Sequence, residues 1–179
     1  MDAVFAIHTS HSVPPPFAIY SELTDSVRRT ITAMPVDYVL DADGLRSTTL
    51  DSVVPHTVSV EVGRQGSEEA AEFGYEMTLA FLRAHGALDD ESPTFTPATI
   101  IEGIEEVPKG SGEPQVNYAN FEEIPEGAVF ASDDEYTHRV DEPEIVPVLA
   151  SEHGYEDIFG LYGRITGTLE PPGEEVASD

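Results

Sequence analysis

The sequence predicts an α/β fold with parallel strands, followed by a β-rich C-terminal part, and three observations predict it. Thr57 to Val62 is a valine-rich run bounded by Pro55 and Gly63, and a long amphipathic helical pattern follows at once. A strand-like run and a shorter helical pattern precede that pair, so strands and helices alternate as they do in layered α/β sheets. From "GALDDESPTFTP" onward the style changes to short apolar runs separated by turn residues, the signature of a β-rich segment.

The elements follow in order. "DAVFAIH" (Asp2 to His8) is a β-leaning apolar run, and "SVPPPF" stops it because proline fixes φ and donates nothing to a ladder. His8 therefore falls at the carboxyl end of a strand. Leu23 to Met34 places Leu23, Val27, Thr30, Ile31 and Met34 at helical spacing, and "VDYVLDADGLRSTTL" then suggests a strand and a turn at "ADG". After the valine strand, Ser67 caps a helix whose first turn holds Glu68 and Glu69. Its stripe of Ala70, Phe73, Met77, Phe81 and Leu82 runs toward Gly86. Residues 1–90 are thus expected to form the α/β part, 91–98 a linker, 99–170 a β-rich domain and 171–179 a flexible acidic tail. No repeat at a fixed period and no glycine-rich phosphate loop is present.

Charge limits the partners. The 179 residues hold 35 Asp+Glu against 8 Lys+Arg, a formal net charge of −27. Nucleic acid and anionic membranes are therefore not expected as partners. Self-repulsion of this size destabilises a folded chain at low salt, whereas the Debye length contracts to about 3 Å at 1 M. The composition points to a halophilic protein, the alternatives being an ordinary acidic protein or one that meets a cationic partner. The absence of cysteine excludes disulfides and thiolate metal sites, so a metal would have to use His and carboxylates. The start "MDAVFAIHTSH" carries an acid where a signal peptide needs basic residues, and its apolar run is too short for a membrane helix. A cytoplasmic location is expected.

Glu61 is the residue that invites explanation. A carboxylate buried among valines costs several kcal/mol unless it is paired, hydrogen-bonded or near a cation. The alternation of Val58, Val60 and Val62 with Ser59 and Glu61 also allows a simpler reading, an apolar face and a solvent-facing polar one. His8 has two readings as well, a hydrogen-bonded loop residue or a metal ligand. Ligands of open α/β sheets gather at strand carboxyl ends, where both residues are expected to lie.

"AIHTSHSVPPPFAIY" and "VSVEVGRQGSEEAAEFGYEMTLAFLRAHG", with weaker support from "NFEEIPEGAVFAS", resemble the succinylglutamate desuccinylase/aspartoacylase family, zinc hydrolases similar to the zinc carboxypeptidases. In that family a strand ending in a D-L-H-T-like sequence supplies a zinc-binding histidine, and a later strand ending in E-[LV]-G supplies the catalytic glutamate. The resemblance implies a partial zinc-carboxypeptidase-like three-layer sheet with a C-terminal β-rich domain. It also implies Zn2+ as cofactor, His8 as a metal ligand, Glu61 as the catalytic residue and Arg64 as a contact for the substrate carboxylate. Arg64 can equally be an ordinary loop arginine. The implied reaction is hydrolysis of a small N-acylated amino-acid-like substrate by a zinc-activated water.

The resemblance also departs from the family. The other two zinc ligands come from an H-x-x-E motif that precedes the histidine matched by His8, and this sequence starts after that point. The one H-x-x-E present, "HGYE" at His153 to Glu156, stands on the wrong side of both residues and is read as chance. An N-terminal half lost by truncation, supplied by a partner chain or decayed in a paralogue would each account for this, and Met1 falling inside a strand-like run favours truncation. The alternative from another class is a non-catalytic acidic subunit or binding module that retains the fold.

Overall fold

The computed structural model describes residues 3–12, 14–45 and 49–173. In chain order they form β1 (Val4–Ser10), β2 (Phe17–Tyr20), α1 (Asp25–Thr32), β3 (Tyr38–Asp41), α2 (Leu50–Val53), β4 (Thr57–Arg64) and α3 (Glu68–Ala84). The remainder is β5 (Ala98–Pro108), β6 (Gln115–Val116), β7 (Val129–Ser132), β8 (Thr137–Arg139), β9 (Ile145–Val148) and β10 (Ile158–Leu169). Residues 46–48 of the expected strand and turn, and 174–179 of the expected tail, lie outside the described residues.

A seven-stranded mixed sheet in the order β1-β4-β2-β3-β5-β10-β9 organises the molecule, and β6-β7-β8 form a second, three-stranded sheet. The pairs β1–β4, β2–β3 and β3–β5 are parallel, as alternating strands and helices predict, whereas β2 runs antiparallel to β4. The large sheet continues across residues 91–98, because β5 pairs with β3 and β10 with β5. The acidic stretch before β5 therefore leads back into the same sheet, tied by Thr96 N–H to Thr32 O (2.7 Å) and Thr99 N–H to Asp37 O (2.8 Å).

The two longer helices, α1 and α3, start where their caps dictate. Thr24 Oγ1 accepts from Val27 N–H, which begins α1 at Asp25 and leaves Leu23 outside it, and Ser67 Oγ accepts from Ala70 N–H (3.1 Å) at the start of α3. Val27, Ile31, Met34, Ala70 and Met77 are buried against Ala18, Val39, Val58, Val60 and Val62 on one sheet face. Gly86 closes α3 with φ 65°, a left-handed conformation that suits glycine.

The other sheet face carries a second core of Phe17, Leu40, Ile101, Phe121, Val146 and Val148. Phe121 stacks on Tyr38 at 4.5 Å and meets Phe17 edge-on at 5.1 Å, so the segment before β7 closes over the start of β2 and β3. Val107, Ile124, Phe130, Val140 and Phe159 make a third cluster beneath the small sheet. Among the described residues no helix is long and apolar enough to cross a membrane.

Candidate functional site

Pairing between β1 and β4 sets Ile7 opposite Val60 and His8 opposite Glu61. Because side chains alternate along a strand, Ile7 joins Val60 toward the helices, and His8 joins Glu61 on the other face. Phe17 of β2 is the partner of Glu61 on its other side. His8, Glu61 and Phe17 thus form one row across three strands.

Glu61 does not stand on an open polar face. The side opposite the valines is itself covered: Ser59 is 2% exposed and Glu61 is half-buried. Among the described residues, Glu61 Oε2 is buried without a hydrogen-bond partner. Burial pushes the carboxyl up to about 7 from its ordinary value near 4.5, since desolvation penalises the charged form. A carboxyl of this kind can hold a proton or release one near neutrality.

His8 is exposed, fifth in the seven-residue strand rather than at its last position. The register between β1 and β4 shifts after it, so that Ser10 faces Arg64. Arg64 closes β4 beyond Gly63, whose φ of 117° is a glycine conformation, and its side chain is exposed. His8, Glu61 and Arg64 therefore share one end of the β1–β4 pair.

The loop after β1 is fixed by residues that sequence reading did not single out. Asn120 Nδ2 donates to Ser12 O (3.1 Å), and Asn120 Oδ1 accepts from Ala150 N–H (2.7 Å). Ser10 and Ser12 hydroxyls lie 2.6 Å apart, and a Cβ placed on Gly154 would lie 3.7 Å from that of His11. The C-terminal loops therefore border this end of the sheet. "HGYE" sits in one of them as a bend in which Ser151 Oγ accepts from the His153 and Gly154 N–H groups.

A protein zinc site takes three or four donors. Among the described residues no group of three or more His, Cys, Asp or Glu is placed to hold a metal ion, so His8 and Glu61 do not make such a site by themselves.

No family model matches the sequence, and no curated protein matches it. Solved structures do match. Succinylglutamate desuccinylase from Vibrio parahaemolyticus superposes with a TM-score of 0.63 at 14% identity, over 90% of this chain and 53% of that one. The ectoine utilization protein EutE (DoeB) from Ruegeria pomeroyi gives 0.65 at 12%, over 92% and 59%. Murine aminoacylase 3 gives 0.61 at 11%, over 93% and 64%. The chain has the fold of succinylglutamate desuccinylase/aspartoacylase structures and spans 53% to 64% of the length of these three.

Proposed function

We propose that this chain is the larger share of a hydrolase of the desuccinylase/aspartoacylase type, cleaving the amide of a small N-acylated amino acid or a related ester. The observation that carries the reading is the His8–Glu61 register pair at one end of β1 and β4, within a fold whose solved examples include a desuccinylase and an aminoacylase. Zinc is the cofactor of this reading, with His8 as one ligand and the others supplied from outside the described residues.

Glu61 Oε2 is the proton carrier. In amide hydrolysis water adds to the carbonyl carbon, the C–N bond breaks, and the proton lost by water reaches the leaving nitrogen. A carboxylate placed among apolar neighbours, with Phe17 beside it, is suited to take that proton and return it. Arg64 is the group that meets the substrate carboxylate, a charge-assisted contact that guanidinium makes well. The acidic composition fits a halophilic, cytoplasmic setting.

One observation favours the second reading, a non-catalytic acidic subunit: the described residues assemble no group of three metal-ligating side chains. Zinc analysis of the folded protein, wild type and His8→Ala, separates the two. One zinc per molecule, lost on His8→Ala with the fold intact, is the expected result. A folded, metal-free wild-type protein would establish the non-catalytic reading instead.

A further inference from the structure

A pocket opens on the sheet face that holds Glu61, one same-face position further along. In the β2–β4 ladder Glu61 pairs with Phe17 and Ser59 with Ile19, and in the β2–β3 ladder Ile19 pairs with Leu40. Because side chains alternate along strands, Glu61, Ser59, Ile19 and Leu40 share the face of His8. Ile19 and Leu40 line a pocket of about 190 Å³ together with Leu45, Leu149, Ile158 and Leu161. The step from Glu61 to Ser59, two residues of strand, is about 6.6 Å.

The walls are mainly aliphatic, and where they carry charge it is acidic. Among the described residues lining the pocket the charged groups are Asp51 and Glu106, with no Lys or Arg. Asp51 is already taken by the hydroxyls of Ser21, Thr49 and Ser59. A carboxylate entering here would lose water to apolar walls and meet two acids without a cation to offset them. Well-packed proteins leave few voids larger than a water molecule. An aliphatic cavity of about 150 Å³ takes up benzene, so this pocket has room for an apolar group of that size or slightly larger.

We propose that this pocket takes the acyl group of the substrate, and that the group is uncharged and apolar, about six carbons in size as in hexanoyl or benzoyl. Within the hydrolase reading, on which the assignment rests, the substrates are N-acyl amino acids with such an acyl group rather than a succinyl one. The order of groups along β4 supports it: Arg64 stands beyond Glu61 on one side, and the Ser59–Ile19 pair leads to the pocket on the other. In an N-acyl amino acid the α-carboxylate and the acyl chain lie on opposite sides of the scissile C–N bond. With the amide at Glu61, the carboxylate is directed to Arg64 and the acyl chain to Ile19 and Leu40. Hydrolysis then adds the hydroxyl of water to the acyl carbon and its proton to the nitrogen, releasing an apolar carboxylic acid and a free amino acid.

The test assays the folded protein on the N-acetyl, N-succinyl, N-hexanoyl and N-benzoyl derivatives of one amino acid. In parallel, ligand-observed NMR measures binding of pentyl methyl ketone and phenyl methyl ketone, which carry the two acyl groups and cannot be hydrolysed. The expected kcat/KM for the hexanoyl or benzoyl substrate exceeds that for the acetyl and succinyl substrates by about tenfold or more. Leu161→Phe, which narrows the pocket, should lower the hexanoyl-to-acetyl ratio by about tenfold and weaken binding of both ketones. Leu161→Ala, which widens it, should move the preference to a longer acyl chain. Hydrolysis that favours succinyl, or acetyl and hexanoyl cleaved equally well, would overturn the acyl assignment while the hydrolase reading stands. Ketone binding that Leu161→Phe abolishes, with none of the four substrates cleaved, would refute the hydrolase reading and leave an apolar-ligand pocket. Neither binding nor cleavage would overturn both.

Discussion

His8 and Glu61 are direct register partners across the parallel β1–β4 pair, with their side chains on the same sheet face. Two strands distant in sequence become neighbours through one parallel ladder. The half-buried carboxyl of Glu61 gains a single exposed imidazole as its neighbour on the β1 side.

The carboxyl of Glu61 makes stability depend on pH in a definite direction. Its folded value, raised to about 7 by burial, lies above the ordinary 4.5, so the folded state favours the proton. The contribution is full below about 4.5 and is lost as pH rises through about 7. Glu61→Gln removes it. In chelator-treated protein the variant's melting temperature, relative to wild type, should be higher at pH 8 than at pH 5. A difference that does not change with pH would contradict the burial argument.

Asp51 is the hub of a different buried cluster. Ser21 Oγ donates to Oδ2 (2.8 Å), Thr49 Oγ1 to Oδ2 (3.3 Å) and Ser59 Oγ to Oδ1 (2.9 Å). Asp51→Ala strands the Ser59 hydroxyl and should cost about 1–3 kcal/mol, read by urea unfolding. Asp51→Asn, which keeps an acceptor, should cost less.

Phe121 joins the C-terminal segment to the main sheet through Tyr38 and Phe17. Its truncation to Ala should cost about 3–5 kcal/mol. Phe121→Leu should cost less, because it keeps apolar volume. Equal losses for the two, measured by thermal unfolding, would show that the ring contacts and not apolar volume hold the segment, and no loss in either would contradict its closure over the sheet.

Charge predicts a strong salt response. Raising KCl from 0.1 M to 2 M should raise the unfolding midpoint by several degrees, as screening shortens from about 10 Å to below about 3 Å. An unmoved midpoint would remove the halophilic reading, which rests on the net charge of −27.

What was legible in the sequence was local. Ser67 and the stripe through Met77 marked α3, and the bounded valines marked β4, because cap and periodicity lie within a few residues of one another. β2 was not foreseen: its four residues follow prolines, and its place between β4 and β3 is set by pairings remote in sequence. Acid-rich residues ahead of β5 resembled a linker between domains, yet hydrogen bonds to Thr32 and Asp37 carry β5 back into the sheet. Two strand ends pointed to His8 and Glu61, while their exact apposition needed the β1–β4 register. Asn120 had no sequence signal at all, since its hold on Ser12 depends on tertiary closure.

The most direct test of the account is hydrolysis by the folded protein before and after Glu61→Gln. Assayed on a panel of N-acyl amino acids in molar KCl, the variant should keep its zinc and lose at least about 100-fold in kcat, the scale of a missing proton carrier. Activity at the wild-type level with zinc retained would contradict the role assigned to Glu61.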